Sequence, residues 1–364
     1  MKKYICLLLA ILLTGCSMVP SYEHEAPTKY DAPAGREIGV MAQSDDWCYF
    51  KLGEWIWQYN NADGTYKKLC GLPACTHEGT ECNAYYPVSN PFEIEPILQV
   101  YDGELYFAAD DGDYVLYKMD LEGDQRQRVQ KLTSKGTENA ASWVVLHRDY
   151  VYTIEYEYGN NNYLWVHQQV LGSDDEGDTI FYQSGTQTPQ FHLWRNQLYL
   201  MVDESIYVCD LETGKNKRLY RGDKDWLVMD SVVQDDGLVF VQDDKNSDAQ
   251  RLCRYDFAAG KVSIIMEDLE QINHNAVSLL GDKLVLFDMF YNGAIEEERG
   301  NITVYDTAGV HLGTNNFSEV IEYLSDGKIQ CLGQNQEKLF FRGMKDDQYM
   351  LLSWSQEGLR VVEE

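Results

Sequence analysis

The chain has 364 residues, and 59 acidic against 30 basic residues give it a formal net charge of −29. Such an acidic excess excludes nucleic acid as a partner, because phosphate binding relies on clustered Lys and Arg. The 26 tyrosines and 28 glycines favour strands and turns over helices.

The N-terminal sequence is typical of an export signal. Two lysines precede an apolar stretch that ends in Leu-Thr-Gly-Cys at Cys16, and this stretch is too short to span a bilayer stably. The ending resembles a bacterial lipoprotein signal, in which the chain is cut before Cys16 and its thiol carries the lipid. We predict a signal peptide over residues 1–15 and a mature protein anchored by lipid on the outer face of the cytoplasmic membrane. The alternative is a buried apolar helix.

Residues 16–35 follow as the lipidated cysteine and a flexible tether, because they contain three prolines and no apolar period. Removal of residues 1–15 takes away two basic and no acidic residues, which leaves a mature net charge of −31. This acidity indicates solubility or, alternatively, a cationic or calcium-bridged partner. The clusters "ADDGDY" and "SDDEGD" lack the ligand spacing of a calcium loop, so we interpret them as turns.

A hairpin signature recurs along the rest of the chain: an alternating strand, then Asp, Asn or another polar residue, then Gly. The polar residue caps the turn and Gly takes the positive φ angle. Seven copies, one of them degenerate, lie near Asn60, Asp120, Gln168, Asp210, Asp256, Asp306 and Ser355. Their spacing of about 40–60 residues is the period of propeller blades.

A second set of hairpins precedes these copies. It occupies residues 98–108, 143–154, 191–202, 231–241, 277–287 and 329–341. Two hairpins per period make one four-stranded blade, and blades can bury both faces only by packing around an axis. We predict that residues 36–364 form an all-β propeller of four-stranded antiparallel blades. Seven blades are preferred, with six as the alternative if a terminal copy is partial.

A Cys-rich insert at about residues 69–86 separates the first two predicted blades. Its candidate metal ligands are Cys70, Cys75, His77 and Cys82, a donor set that suits a closed, structural zinc site. In an extended segment Cys75 and His77 would point the same way and face one ion. Two alternatives stay open: a disulfide within the cluster or with Cys48, and inert thiols. No other cofactor is expected.

The lipoprotein signal, the repeated phrases and the Cys-rich insert resemble exported propeller lipoproteins of Gram-positive bacteria, many of them domains of unknown function. One of these repeated sequence motifs is similar to a motif of quinoprotein-like and surface-repeat propellers. Its best match in this chain consists of Tyr207, Asp210, Thr213, Gly214 and Lys215. The resemblance implies a β-propeller fold and an extracytoplasmic location. The tryptophan-docking repeats of quinone enzymes and the Ser-x-Asp box of sialidases are not found in the sequence.

Two hypotheses for function follow, and no catalytic motif decides between them. The favoured one is a monomeric binding or assembly module for a protein, peptide or glycan, with Trp55, Trp57, Trp165 and Trp194 as candidate stacking residues.

The alternative is an extracytoplasmic hydrolase or lyase with its active site at the axial tunnel. His147, His192 and His274 lie on or beside the predicted innermost strands. An enzyme requires at least two of them to meet acidic residues in one axial pocket. No residue is assigned a catalytic role from the sequence.

Overall fold

The computed structural model describes residues 41–86, 98–110, 113–133, 140–157, 162–185, 190–247, 249–267, 269, 276–287, 290–292, 301–316, 324, 328–335, 337–346 and 348–362. The predicted signal peptide, Cys16, the tether and His274 lie outside these residues. No helix long and apolar enough to cross a membrane is found in the described part of the chain.

The described residues contain strands and turns, and the strands are short and follow one another closely. In chain order they are β1 (Met41–Gln43), β2 (Trp47–Leu52), β3 (Trp55–Asn60), β4 (Tyr66–Lys68), β5 (Leu98–Tyr101), β6 (Glu104–Asp110), β7 (Tyr114–Asp120), β8 (Gln127–Lys131), β9 (Ala140–His147), β10 (Tyr150–Glu157), β11 (Asn162–Val170), β12 (Asp178–Gly185), β13 (Gln190–Trp194), β14 (Gln197–Val202), β15 (Ser205–Asp210), β16 (Asn216–Arg221), β17 (Trp226–Gln234), β18 (Gly237–Asp244), β19 (Gln250–Asp256), β20 (Lys261–Met266), β21 (Ala276–Leu280), β22 (Lys283–Phe287), β23 (Phe290–Asn292), β24 (Asn301–Asp306), β25 (His311–Asn316), β26 (Lys328–Gln334), β27 (Leu339–Lys345), β28 (Gln348–Ser355) and β29 (Gly358–Val361).

These strands form seven antiparallel sheets in a ring, which confirms the predicted seven-bladed propeller. Blades 1 to 5 are β1–β4, β5–β8, β9–β12, β13–β16 and β17–β20; blade 6 is β21, β22, β24 and β25, and blade 7 is β26–β29. The first strands of neighbouring blades lie beside each other. The first strand of each blade is therefore innermost and the fourth outermost.

Blade 7 carries a fifth strand that the repeat pattern does not predict. β23, from the connection between β22 and β24 of blade 6, pairs antiparallel with β26, with Tyr291 opposite Ile329. It adds to the inner edge of blade 7, so consecutive blades 6 and 7 are joined by main-chain pairing as well as by side-chain packing.

The predicted turn chemistry is present in the hairpins between third and fourth strands. In blade 4, Asp210 Oδ1 accepts hydrogen bonds from the N–H of Glu212 at 3.1 Å and of Thr213 at 2.9 Å. Gly214 then takes a φ of +65°, a backbone angle that glycine adopts without steric cost. The carboxylate and the glycine together reverse the chain.

In blades 1 and 3 the third residue of the second strand is a tyrosine that contacts the next blade. Tyr49 of blade 1 is fully buried and donates its hydroxyl to the Leu121 carbonyl of blade 2 at 3.3 Å. Tyr152 of blade 3 does the same to the Leu211 carbonyl of blade 4 at 3.1 Å. Each buried tyrosine thus covers apolar area and satisfies its own hydroxyl at a neighbouring turn.

The ring closes through side chains between blades 7 and 1. The Phe340 ring lies 5.0 Å from that of Phe50 and 5.2 Å from that of Tyr59, and Lys338 donates to the Tyr59 hydroxyl at 2.7 Å. Within the described residues, the four strands of blade 1 and the four of blade 7 each come from one continuous stretch. The two blades therefore meet by packing, and no described strand is exchanged between them.

Candidate metal centre

The Cys-rich insert interrupts the outermost strand of blade 1. After β4, the Leu69 N–H donates to the Ile56 carbonyl at 2.9 Å, and the chain then leaves the sheet. It returns at Ala84, whose carbonyl accepts the Ile56 N–H at 2.7 Å, and the Tyr86 N–H donates to the Glu54 carbonyl at 2.8 Å. The fourth strand of blade 1 is therefore built from two pieces, and residues 70–83 form a loop between them.

The loop brings all four predicted metal ligands together. The donor atoms of Cys70, Cys75, His77 and Cys82 lie within 4.8 Å of one another, and His77 Nδ1 is 3.5 Å from Cys82 Sγ. Cys70 and Cys82 lie at the two ends of the loop. A single ion bound by this group would hold the two pieces of the outer strand together.

Turns, and not an extended segment, produce this convergence. Ala74 and His77 have φ angles of +61° and +59°, and the Cys75 N–H bonds back to the Leu72 carbonyl at 3.3 Å. The expectation that Cys75 and His77 lie in an extended segment is therefore wrong, although their donor atoms do face the same point, as predicted. Left-handed backbone at residues other than Gly costs on the order of 1–3 kcal/mol each and persists only where the surroundings enforce it.

Backbone N–H groups point at the sulfur atoms. The His77 N–H donates to Cys75 Sγ at 3.4 Å. Burial by itself raises the pKa of the Cys70 thiol, but the N–H groups of Leu72 and Asn83 bond to its sulfur and hold the pKa below its usual value. These donors favour the thiolate form, which is the form that binds metals.

Cys82 is the deepest ligand, with an exposed fraction of 1%. Burial raises the pKa of its thiol to about 12; the Ala84 N–H acts in the opposite direction, and the neighbouring Cys70 adds to the rise. A divalent cation at this point would stabilise all the thiolates at once, because its charge outweighs their mutual repulsion.

The loop is fixed to blade 2 as well as to blade 1. The Gly123 carbonyl, in the turn between β7 and β8, accepts the Gly71 N–H at 3.2 Å and the Asn83 amide at 2.8 Å. Arg126 donates to the Tyr85 carbonyl. The insert therefore bridges the junction between the first two blades at their outer edge.

A cation of the protein's own lies behind the loop. Lys68 Nζ donates to the His77 carbonyl at 2.9 Å and sits 4.0 Å from the Trp55 ring centroid. Lys68, Gly123 and Arg126 support the site without being ligands, and no local sequence signal marked them, because their roles depend on contacts between blades.

The other described cysteines do not join the cluster. None of the seven described cysteines forms a disulfide, and Cys48 packs with Phe340 and Leu351 on the side of blade 1 that faces blade 7. The insert lies on the side that faces blade 2. A disulfide from the insert to Cys48 is therefore incompatible with this arrangement.

The two described axial histidines do not form a common site. His147 Nε2 lies 3.0 Å from Asn196 Oδ1 and His192 Nε2 lies 2.8 Å from Ser231 Oγ, and both rings are buried. Burial lowers the pKa of His192 to about 4, so this ring is neutral at physiological pH. Each histidine contacts the next blade, and neither lines the polar cleft of about 170 Å³ bounded by Asp203 and Arg218.

The four candidate tryptophans have different environments. Trp194 is buried between blades 4 and 5, so its expected exposure is wrong. Trp57 stacks on Tyr66 at 4.6 Å, and the Trp55 ring is covered by Lys68. Only Trp165, among these four, belongs to an aromatic surface without a cation of the described chain over it.

Comparison with solved structures supports the fold. An oligogalacturonate lyase from Vibrio parahaemolyticus is 11% identical with a TM-score of 0.57, and the match covers 91% of this chain and 92% of the lyase. A structure from work on two prolyl endopeptidases is 12% identical, with a TM-score of 0.54 over 90% of this chain and 50% of the endopeptidase. The acylaminoacyl peptidase of Pyrococcus horikoshii is 12% identical, with a TM-score of 0.51 and coverages of 94% and 54%.

This chain spans about half the length of the two peptidases. At such low identity the likeness shows a shared fold. No protein-family model matches the sequence, and no protein of curated function is significantly similar to it.

A pair of alanine substitutions tests the contact between the insert and blade 2. Gly123 and Gly103 have similar φ angles of +88° and +81°, but a Cβ on Gly123 would lie 2.8 Å from backbone atoms of Leu69 and Cys70, whereas Gly103 faces open space. Gly103→Ala should cost about 1–2 kcal/mol from its backbone conformation alone. Gly123→Ala should cost more, measured by urea unfolding, and should speed the reaction of the insert's thiols with a thiol reagent. Equal losses of stability, with unchanged thiol reactivity, would show that the insert does not rest on Gly123.

Proposed function

We propose that this protein is a lipid-anchored β-propeller on the outer face of the cytoplasmic membrane that acts as a binding or assembly module for a protein, peptide or glycan. The proposal rests mainly on the hydrogen bonds of His147 and His192. Both form buried hydrogen bonds to an amide or hydroxyl of the next blade. A general acid or base must instead reach a bound substrate.

The second candidate is an extracytoplasmic hydrolase or lyase. It is favoured by the lyase that matches over 92% of its own length. The peptidases support it less, because only about half of each chain is matched. Under this alternative, the cleft beside Asp203 and Arg218 is a better candidate for the active site than the described axial histidines, since it is open to solvent.

We also propose that Cys70, Cys75, His77 and Cys82 bind zinc, and that the ion is structural. Three sulfur donors and one imidazole form a soft donor set, typical of closed tetrahedral zinc sites. Four protein ligands leave no open position for substrate or water. The ion would hold the interrupted outer strand, with a binding free energy on the order of 10 kcal/mol against roughly 3 kcal/mol for a disulfide closing the same short loop.

The lipid anchor rests on the N-terminal sequence alone. Acyl chains on Cys16 would hold the propeller at the membrane through the tether of residues 16–35. The mature net charge of −31 then repels anionic lipid headgroups and keeps the propeller off the membrane surface.

The choice between binding and catalysis can be tested with one mixed library of peptides and oligosaccharides. A binding module should retain some members without changing them, as read by mass spectrometry of the bound and unbound fractions. Cleaved or unsaturated products that disappear in Asp203→Asn, but not in the more distant Asp346→Asn, would contradict the binding proposal. Such products would favour the hydrolase or lyase instead.

Elemental analysis tests the metal. The purified protein should contain about one zinc per chain, and Cys82→Ala should lose nearly all of it because a buried ligand is removed. Cys331→Ala, at a half-buried cysteine of blade 7 outside the insert, is the matched control and should keep the zinc. Protein without metal, whether its insert thiols are paired or free, would contradict the zinc proposal.

The anchor is tested by expression in a bacterial host with labelled palmitate. The wild-type chain should take up label and partition into a detergent phase, whereas Cys16→Ser should do neither, because the acylated thiol is missing. Cys6→Ser, inside the predicted signal peptide, is the control and should behave as wild type. Equal labelling of wild type and Cys16→Ser would rule out Cys16 as the lipidation site.

A further inference from the structure

Blade 3 carries three aromatic rings on one face of its two outer strands. Tyr163 and Trp165 lie on β11, and Tyr182 lies opposite Trp165 on β12. The ring centroids are 5.5–5.7 Å apart in all three pairs, and the planes of Tyr163 and Tyr182 differ by 20°. These residues are called the blade 3 aromatic cluster below.

The cluster is open to solvent on its outer side. Tyr182 is 55% exposed, among the most exposed large hydrophobic residues of the described chain, and Tyr163 and Trp165 are half-buried. Three contacting rings on the two outer strands of a blade form a broad, rigid surface that loses little conformational entropy on binding. Single exposed aromatic residues are common on protein surfaces, whereas a contiguous exposed group is typical of an interaction site.

Two other half-buried tryptophan rings in the described chain are covered by a cation from the same chain. Lys68 lies 4.0 Å from the centroid of Trp55, and Arg251 lies 3.9 Å from that of Trp226. Within the described residues, no Lys or Arg lies over any ring of the blade 3 aromatic cluster. No cation of the described chain therefore competes with one from another molecule for the solvent-exposed part of these rings.

The local and overall charge favour such a cation. Glu157 is the β10 residue opposite Tyr163. Burial, the neighbouring Tyr163 and then the Glu157 carboxylate raise the pKa of the Tyr182 phenol, which places that carboxylate within electrostatic reach of the cluster. The net charge of −29 for the whole chain adds long-range attraction for cations and repulsion for anions.

We infer that the blade 3 aromatic cluster, together with Glu157, binds an arginine or lysine side chain of a basic peptide segment. The ring faces supply the cation–π contact and the carboxylate supplies the opposite charge. This inference rests on the proposed binding function and names its partner class. A neutral glycan would use the rings but not the carboxylate, so charge separates the two ligands.

The experiment compares two short peptides of identical length, one with two arginines between Gly and Ser residues and one with citrulline in their place. Citrulline keeps the shape and removes the charge. Binding to the purified protein is measured by calorimetry at 0.15 M salt, where weak surface attraction is screened. The arginine peptide should bind about three- to thirtyfold more tightly than the citrulline peptide, the range expected for a cation over aromatic rings.

Variants of the cluster should remove that preference. Tyr182→Ala and Glu157→Gln should each weaken binding of the arginine peptide about threefold or more. Tyr349→Ala is the matched control: Tyr349 is 49% exposed, but Arg342 of the same chain already lies 5.7 Å from its ring centroid. Because all three residues lie at the surface, thermal midpoints should change little and confirm that the variants fold.

Several results would overturn the inference. They are no binding of the arginine peptide at millimolar concentration, equal binding of the two peptides, and equal effects of Tyr182→Ala and Tyr349→Ala. Loss of citrulline-peptide or neutral-oligosaccharide binding in Tyr182→Ala would show that the cluster binds ligands that are not cationic. In each case the binding proposal itself is judged separately, by whether the mixed library yields any retained and unaltered member.

Discussion

The fold depends on each sheet having two apolar faces that only neighbouring sheets can cover. The second strand of blade 4 is buried along its whole length, so side chains on both faces of its sheet are covered. An isolated four-stranded sheet would expose both faces to water. Closing the ring gives every blade two neighbours. The packing of Phe340 against Phe50 and Tyr59 is therefore as necessary as any contact within a blade, because without it two apolar faces would remain open.

Much of this architecture is readable from the sequence because its signals are local. The Asp210 turn depends on a carboxylate that bonds to N–H groups two and three residues later, and the alternation of its flanking strands has a period of two. Such features repeat whatever surrounds them, so the blade number could be predicted. β23 could not, because its partner β26 lies some forty residues further along the chain and the repeated hairpin pattern does not include this pairing.

In the candidate metal site, too, the local features could be predicted from the sequence and the long-range ones could not. Four soft donors within thirteen residues indicate a common site, and the structure brings them together. The sequence gives no sign of how, because the left-handed angles of Ala74 and His77 occur at residues that usually avoid them. The pairing of Ala84 with Ile56, by which the chain rejoins the sheet, could not be predicted from the sequence either. Likewise, a strand pattern places His192 on an innermost strand but cannot tell whether its ring faces the axis or, as here, Ser231 of the next blade.

Both proposed binding sites include residues of a blade's outermost strand or of a loop in it, and the burial of the strands explains why. The fourth strands β16, β20 and β25 are largely exposed, whereas the second strands β14 and β18 are buried. An inner strand that was interrupted or opened to solvent would expose apolar area of two blades. An outer strand can be interrupted by a loop and resumed after it, as in blade 1, or carry partly exposed rings, as in blade 3. New contacts therefore accumulate at the edge, where they do not weaken ring closure.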